Sequence, residues 1–134
     1  MEILGLATAA VIAVEPATER QLWVETLGLG LTSAPGSPYD YWSSEQVAGV
    51  RHFGVWSLAE AAESCFGTPD WPTDHPIPQA SFEFEVVDVA AAATELGAAG
   101  YRLLHGPRTE PWGQTVARLQ APSGVIVGVC TMPG

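Results

Sequence analysis

His52 and Glu83 are the two titratable side chains best placed by the sequence to exchange protons with a small molecule. Both lie in stretches that predict β-strands, His52 at the start of residues 52–58 and Glu83 within residues 81–87. Glu83 would act as a general base if burial raised its pKa, and His52 would act as the acid. The sequence shows no oxyanion-binding group beside them, so a purely binding role for both residues stays open.

Arg118 is a cation placed inside a predicted strand, between Ala117 and Leu119. Such a side chain needs either a carboxylate partner or an anionic ligand, and pairing with a Glu is the simpler alternative. The chain has five Arg, no Lys and 15 acidic residues, which gives a formal charge of −10. This charge argues against nucleic acid and against anionic membrane surfaces as partners.

Cys65 and Cys130 are the two cysteines of the chain. Two cysteines make no disulfide framework, and we therefore expect a reducing, cytoplasmic location. Residues 3–14 are almost wholly apolar, but Glu2 stands where a signal peptide carries positive charge. The run is too short to span a bilayer and predicts a buried strand.

A hairpin near the end of the chain is the clearest structural signal. Residues 114–121 predict one strand, Pro122-Ser123-Gly124 a tight turn, and residues 125–131 a second strand rich in β-branched residues. Pro111-Trp112-Gly113 precedes the hairpin directly.

The second half of the chain repeats the first half in kind. The stretch Phe53-Gly54-Val55-Trp56-Ser57-Leu58 matches Val127-Gly128-Val129-Cys130-Thr131-Met132, so that Gly54 aligns with Gly128. Thr8 lies seven residues before Glu15, and Ser81 lies seven residues before Asp88. Such a repeat predicts two copies of one supersecondary unit within a single domain of residues 1–134. We expect module 1 over about 1–58, a proline-rich linker over 59–78 and module 2 over about 79–134.

Each module predicts the element order βαβββ. In module 1 we expect strands over 6–14, 29–32, 46–51 and 52–58, with a helix that starts near residue 15 and ends at residue 28. In module 2 a strand over 81–87, a helix over 88–99 and a strand over 101–105 precede the hairpin. A short helix over 59–65 opens the linker.

The hairpin and the repeat resemble the vicinal oxygen chelate superfamily of glyoxalases, bleomycin-resistance proteins and dioxygenases. Members typically show a Pro-Trp-Gly start, an Asp-Pro-Asp/Glu-Gly turn and a strand with a metal-binding Glu. In this chain the turn reads Ala121-Pro122-Ser123-Gly124, and Gly128 stands at the Glu position. The resemblance implies an α+β fold in which two tandem βαβββ modules form curled sheets around a cup. It also implies a homodimer, because members close their cups with a partner chain or by pairing the two halves.

The resemblance places the four metal-ligand positions at Thr8, Gly54, Ser81 and Gly128. None of them has an imidazole or carboxylate group, which zinc, nickel and hard divalent ions require. We therefore expect no metal and no cofactor, and the glyoxalase and extradiol dioxygenase reactions are not carried over to this chain.

The two aligned glycines predict space in the middle of the cup, because strand glycines often mark the close approach of a ligand. A bulge or a tight helix contact behind the strand is the alternative. Strand alternation places Trp56, Glu83 and Cys130 on the same faces as these positions. Aromatic residues on loops predict a stacking rim, although packing beneath loops would use them equally well. The candidate ligand-binding residues are Thr8, Tyr39, Tyr41, Trp42, His52, Gly54, Trp56, Ser81, Glu83, Trp112, Arg118, Gly128 and Cys130.

Two functions follow from this pattern. The first is a metal-independent binding protein, similar to the drug-sequestering branch of the superfamily, that holds an aromatic polycyclic antibiotic or natural product without a catalytic residue. The alternative is a metal-independent lyase- or isomerase-type enzyme that acts on a small carbonyl or polyketide intermediate.

Overall fold

Residues 1–33 and 40–133 are described by the computed structural model, and within them the chain forms eight strands and three helices. The strands are β1 (Ile3–Ala13), β2 (Thr32–Ser33), β3 (Trp42–Ser44), β4 (His52–Ser57), β5 (Ala80–Val86), β6 (Leu103–Thr109), β7 (Thr115–Gln120) and β8 (Ile126–Thr131). The helices are α1 (Pro16–Arg20), which continues as a π-helical turn (Gln21–Thr26), α2 (Leu58–Phe66) and α3 (Val89–Ala98). None of these helices is long and apolar enough to cross a bilayer.

The strands form one mixed sheet in the order β2-β3-β4-β1-β5-β8-β7-β6. β1 pairs in parallel with β4, and β5 pairs in parallel with β8, so each half has the same internal arrangement. The two halves join where β1 and β5 pair antiparallel, from Ile3–Val86 to Val11–Ala80. This arrangement confirms the α+β fold of two βαβββ units that the repeat predicted.

Apolar packing on the two faces of the sheet explains where the helices lie. The outer face of module 1 packs Val55 against Trp23 of the π-helical turn, and that of module 2 packs Val129 against Ala92 of α3. α2 lies on the opposite, concave face, where Cys65 belongs to the same buried cluster as Trp56. The linker helix therefore closes one end of the cup instead of merely joining the two modules.

The sequence explains the ends of α2 and α3. Ser57 caps α2 by accepting a hydrogen bond from the backbone N–H of Glu60, and Asp88 caps α3 in the same way through Ala91. Gly67 ends α2 with a φ of 80°, a left-handed conformation that favours glycine.

Two predicted strands of module 1 are wrong. Residues 46–51 form a turn in which Gly49 has a φ of 95°, and the strand lies earlier, at Trp42–Ser44. The strand predicted over 29–32 is reduced to Thr32–Ser33, because Gly30 has a φ of 74° and interrupts the extended chain.

Candidate functional site

The concave face of the sheet encloses one large cavity of about 690 Å³, here called the cup cavity. Both modules contribute to it, together with the segment before β7 and the residues after β8. Its lining residues are Thr8, Ala10, Tyr41, Ser43, Glu45, His52, Trp56, Glu60, Ser81, Glu83, Pro111, Trp112, Gln114, Arg118, Met132 and Pro133. The volume lies within the usual range for small-molecule sites.

The cup cavity brings together eight of the thirteen residues that the sequence singled out. These are Thr8, Tyr41, His52, Trp56, Ser81, Glu83, Trp112 and Arg118. They come from four strands and two connecting segments, and they meet because alternation on each strand places every second side chain on the concave face.

One aromatic residue of the predicted rim, Trp42, does not line the cavity. Trp42 lies in β3 and packs with the cluster beneath α1, where Arg20 lies over its ring at 5.4 Å from the centroid. It is therefore part of the outer packing, because its side chain points away from the concave face. Tyr39 lies outside the described residues.

The prediction that Gly54 and Gly128 leave empty space is wrong. A Cβ at Gly54 would overlap the hydroxyl oxygen of Tyr41, and a Cβ at Gly128 would lie 2.9 Å from Cγ of Glu83. The space above both glycines is filled by side chains of the same chain. The glycines do permit a close approach, but of Tyr41 and Glu83 rather than of a ligand.

Cys130 is also absent from the cavity wall. It is fully buried in a cluster with Ala7 and Val116, and its sulfur lies 4.0 Å from that of Met132. Burial raises the pKa of the Cys130 thiol to about 11. The side chain thus packs as an apolar group and is protonated near neutral pH.

Glu83 and Arg118 form a buried ion pair at the centre of the cup. Nε and Nη2 of Arg118 donate to Oε2 of Glu83 at 3.2 and 3.0 Å, and the residues Glu83 and Arg118 are only 4% and 1% exposed. The amide of Gln114 donates to the other carboxylate oxygen, Oε1, at 2.8 Å. Both oxygens of Glu83 therefore accept hydrogen bonds from side chains of the same chain.

Glu110 completes this ion cluster and was missed in the sequence. Nη1 of Arg118 donates to Oε1 of Glu110 at 3.1 Å, and Nη2 of Arg108 donates to the same oxygen at 2.9 Å. Glu110 lies outside the predicted strands, directly after the end of β6, where an acidic residue is ordinarily solvated, so the sequence contained no signal of its burial.

Tyr41 and His52 form a second polar pair in the cup cavity. The Tyr41 hydroxyl and Nε2 of His52 lie 2.6 Å apart. Burial lowers the pKa of His52, and burial together with the negative charge of Glu83 raises the pKa of Tyr41. Both shifts keep the pair neutral, so it offers a ligand hydrogen bonds rather than charge.

Glu60 is the functional candidate that the sequence analysis passed over. It lies in the first turn of α2 and lines the cup cavity. The spacing Ser57-Leu58-Ala59-Glu60 is that of a capping box, which predicts the helix start but not that the Glu side chain faces a cavity.

The residues around the cup do not suit a metal ion. Within residues 1–33 and 40–133, no group of three or more His, Cys, Asp or Glu side chains is arranged to hold one. Thr8 and Ser81 offer hydroxyls, and the other two expected ligand positions are glycines.

Comparison with known proteins identifies the family. The family model described as "Glyoxalase/Bleomycin resistance protein/Dioxygenase superfamily" matches residues 6–129. No curated protein matches this sequence.

Solved structures share the fold at low sequence identity. A superfamily member from Vibrio splendidus 12B01 is 13% identical with a TM-score of 0.57, covering 94% of this chain and 98% of that one. Methylmalonyl-CoA epimerase from Mycobacterium tuberculosis is 12% identical with a TM-score of 0.61, covering 98% and 90%. A hypothetical protein from Bacillus halodurans C-125 is 14% identical with a TM-score of 0.60, covering 96% and 94%. Identities this low support the shared architecture alone.

Proposed function

We propose that this chain, which belongs to the glyoxalase/bleomycin resistance protein/dioxygenase superfamily, binds an aromatic small molecule in the cup cavity without a metal. The observation that carries the proposal is a cavity of about 690 Å³ with Trp56, Trp112 and Tyr41 in its wall. Aromatic side chains offer a broad stacking surface at little cost in side-chain entropy. A planar polycyclic antibiotic or natural product fits this chemistry, and sequestration of such a compound is the role we propose.

The arrangement of the polar groups favours binding over turnover. The base suggested by the sequence, Glu83, is held on both oxygens by Arg118 and Gln114. Its suggested acid, His52, is hydrogen-bonded to Tyr41. Both groups on which the enzyme alternative depends are thus hydrogen-bonded within the chain, which favours the binding proposal.

Trp112 makes the proposal testable, because it is 49% exposed beside the cavity and its removal should leave the fold intact. A screen of aromatic natural products should find compounds that quench tryptophan fluorescence. We expect Trp112→Ala to weaken the binding of such a compound by about 2 kcal/mol or more. Trp23→Phe serves as the control, because Trp23 packs on the outer face.

The fate of the bound compound separates the two functions. A binding protein returns the compound unchanged after denaturation, whereas an enzyme returns a product. Failure of every aromatic compound to bind, or equal effects of Trp112→Ala and Trp23→Phe, would contradict the proposed site. Elemental analysis of protein purified without chelator should show sub-stoichiometric zinc, nickel, iron and manganese.

The location and assembly of the protein remain proposals. Both cysteines are free and buried, which supports a cytoplasmic location. We also propose a homodimer, on the likeness of the fold to a superfamily whose members commonly pair.

A further inference from the structure

Glu60 places a carboxylate in the wall of the cup cavity without a matching cation. Its backbone N–H is held by the Ser57 cap at 3.1 Å, which fixes the position of the residue at the start of α2. The side-chain oxygen Oε2 is buried and accepts no hydrogen bond from any residue that the structure describes. Burial raises the pKa of Glu60, and hydrogen bonding with Trp56 opposes that shift only in part. A group in the cavity that donated to Oε2 would relieve this cost.

Ser81 provides a second, independent sign of a missing donor or acceptor. The residue is 1% exposed and lines the same cavity, and its Oγ has no hydrogen-bond partner within residues 1–33 and 40–133. Buried polar atoms in folded proteins are almost always paired, so an unpaired one facing a cavity points to a ligand. A hydroxyl can accept from a donor that also reaches Glu60 or donate to a neighbouring acceptor on the same ligand.

The charges of the cavity wall fix the sign of the ligand. Three carboxylates line the cup cavity, those of Glu45, Glu60 and Glu83, whereas the lining includes one Arg, Arg118. That guanidinium is already engaged by Glu83 and Glu110. Glu45 is exposed to solvent, which leaves Glu60 as the shielded carboxylate among the lining residues that no ion pair neutralises.

Taking the proposed function as the premise, we propose that the ligand carries a protonated amine on its planar ring system and that this amine binds Glu60 within the cup cavity. The protonated form of such a ring amine carries several N–H donors, enough for a charge-assisted bond to Glu60 and a further bond to Ser81. The aromatic wall adds to the preference, because ring faces attract cations. A neutral or acidic polycycle would leave the Glu60 carboxylate buried and unpaired.

Three tricyclic probes of matched shape test the charge preference. At neutral pH 9-aminoacridine is a cation, acridine is neutral and acridine-9-carboxylate is an anion. Affinities are measured by tryptophan quenching at an ionic strength of about 0.15 M, which screens charges beyond the cavity. We expect 9-aminoacridine to bind roughly tenfold or more tighter than acridine, because a hydrogen bond to a charged group has that effect. The carboxylate should bind most weakly.

Two charge-neutralising variants test whether Glu60 causes the preference for the cationic probe. Glu60→Gln keeps the size of the side chain and should reduce 9-aminoacridine binding to nearly that of acridine, with acridine binding little changed. Glu25→Gln makes the same change in net charge at an exposed residue outside the cavity and should alter neither. Circular dichroism and thermal melts check that both variants fold. Glu60→Asp retains the charge and should keep most of the preference.

The outcomes separate this inference from the proposed function. Equal binding of acridine and 9-aminoacridine, or equal effects of Glu60→Gln and Glu25→Gln, would overturn the amine assignment while leaving aromatic binding in place. Binding of none of the three probes would contradict the proposed function and this inference together.

Discussion

Gly128 lies directly beneath the Glu83 carboxylate, and its missing side chain is what lets the ion pair with Arg118 form. A Cβ there would lie 2.9 Å from Cγ of Glu83 and 3.2 Å from a methyl carbon of Val116. Both distances are shorter than ordinary van der Waals contact. Gly128 thus stabilises the structure because it has no side chain that would displace Glu83, and not because it leaves room for a ligand.

We expect Gly128→Ala to destabilise the fold. The added methyl must displace Glu83, which Arg118 and Gln114 hold in place, and overpacking of this kind costs about 1–3 kcal/mol. Urea denaturation measures the free energy of unfolding. Gly106→Ala is the matched control, because a Cβ there meets no atom within 4 Å and the backbone φ is not positive. Equal stabilities of the two variants would show that Glu83 moves aside freely.

At the scale of the elements, the ion cluster ties three neighbouring strands together. Glu83 lies in β5, Arg118 lies in β7, and β8 runs between them with Gly128 opposite both residues. The pair therefore spans a strand that has no side chain at the crossing point. Removing one partner from such a buried pair leaves the other charge uncompensated.

A double-mutant cycle should show this coupling. We expect Arg118→Met to cost about 3–5 kcal/mol of unfolding free energy, because Glu83 and Glu110 then lose their shared cation. Glu83→Gln combined with Arg118→Met should cost less than the sum of the single changes. Additive costs, measured by urea denaturation, would mean that the two side chains contribute independently.

The sequence predicts those elements whose signals are local. The hairpin is confirmed nearly to the residue, with Gly124 at a φ of 93° in its turn. Alternation also gave the correct concave faces for Trp56 and Glu83. The sequence could not indicate that Glu60 faces the cavity, because this follows from how α2 packs across the cup. It likewise could not distinguish a glycine that faces empty space from one whose space is filled by Tyr41, because that contact joins residues far apart in the sequence.

At the scale of the whole molecule, one chain provides a complete cup. The cavity lining combines residues of module 1, such as His52, with residues of module 2, such as Arg118. Pairing of β1 with β5 brings the modules together within the chain. Residues of both modules of one chain therefore meet in the wall of the cavity.

This completeness predicts one ligand for each chain in any oligomeric state. Isothermal titration with a compound from the fluorescence screen should give a stoichiometry near one per chain, because each chain has its own cup cavity. Sedimentation at the same concentration tests the expected homodimer separately. One ligand per two chains would mean that the cavity is completed or blocked by the partner.

The antiparallel joint between β1 and β5 has a consequence for how the chain can be divided. The two halves meet through backbone hydrogen bonds across the middle of the sheet, and residue pairs from Ile3–Val86 to Val11–Ala80 form that seam. The peptide that connects them runs through an exposed stretch around Thr73 and Asp74. The intact peptide chain there lowers the entropic cost of bringing the two halves together, but it adds no contacts between them. Fragments 1–73 and 74–134, produced together from separate genes, should assemble into a working split protein, which co-purification through a tag on one fragment would detect.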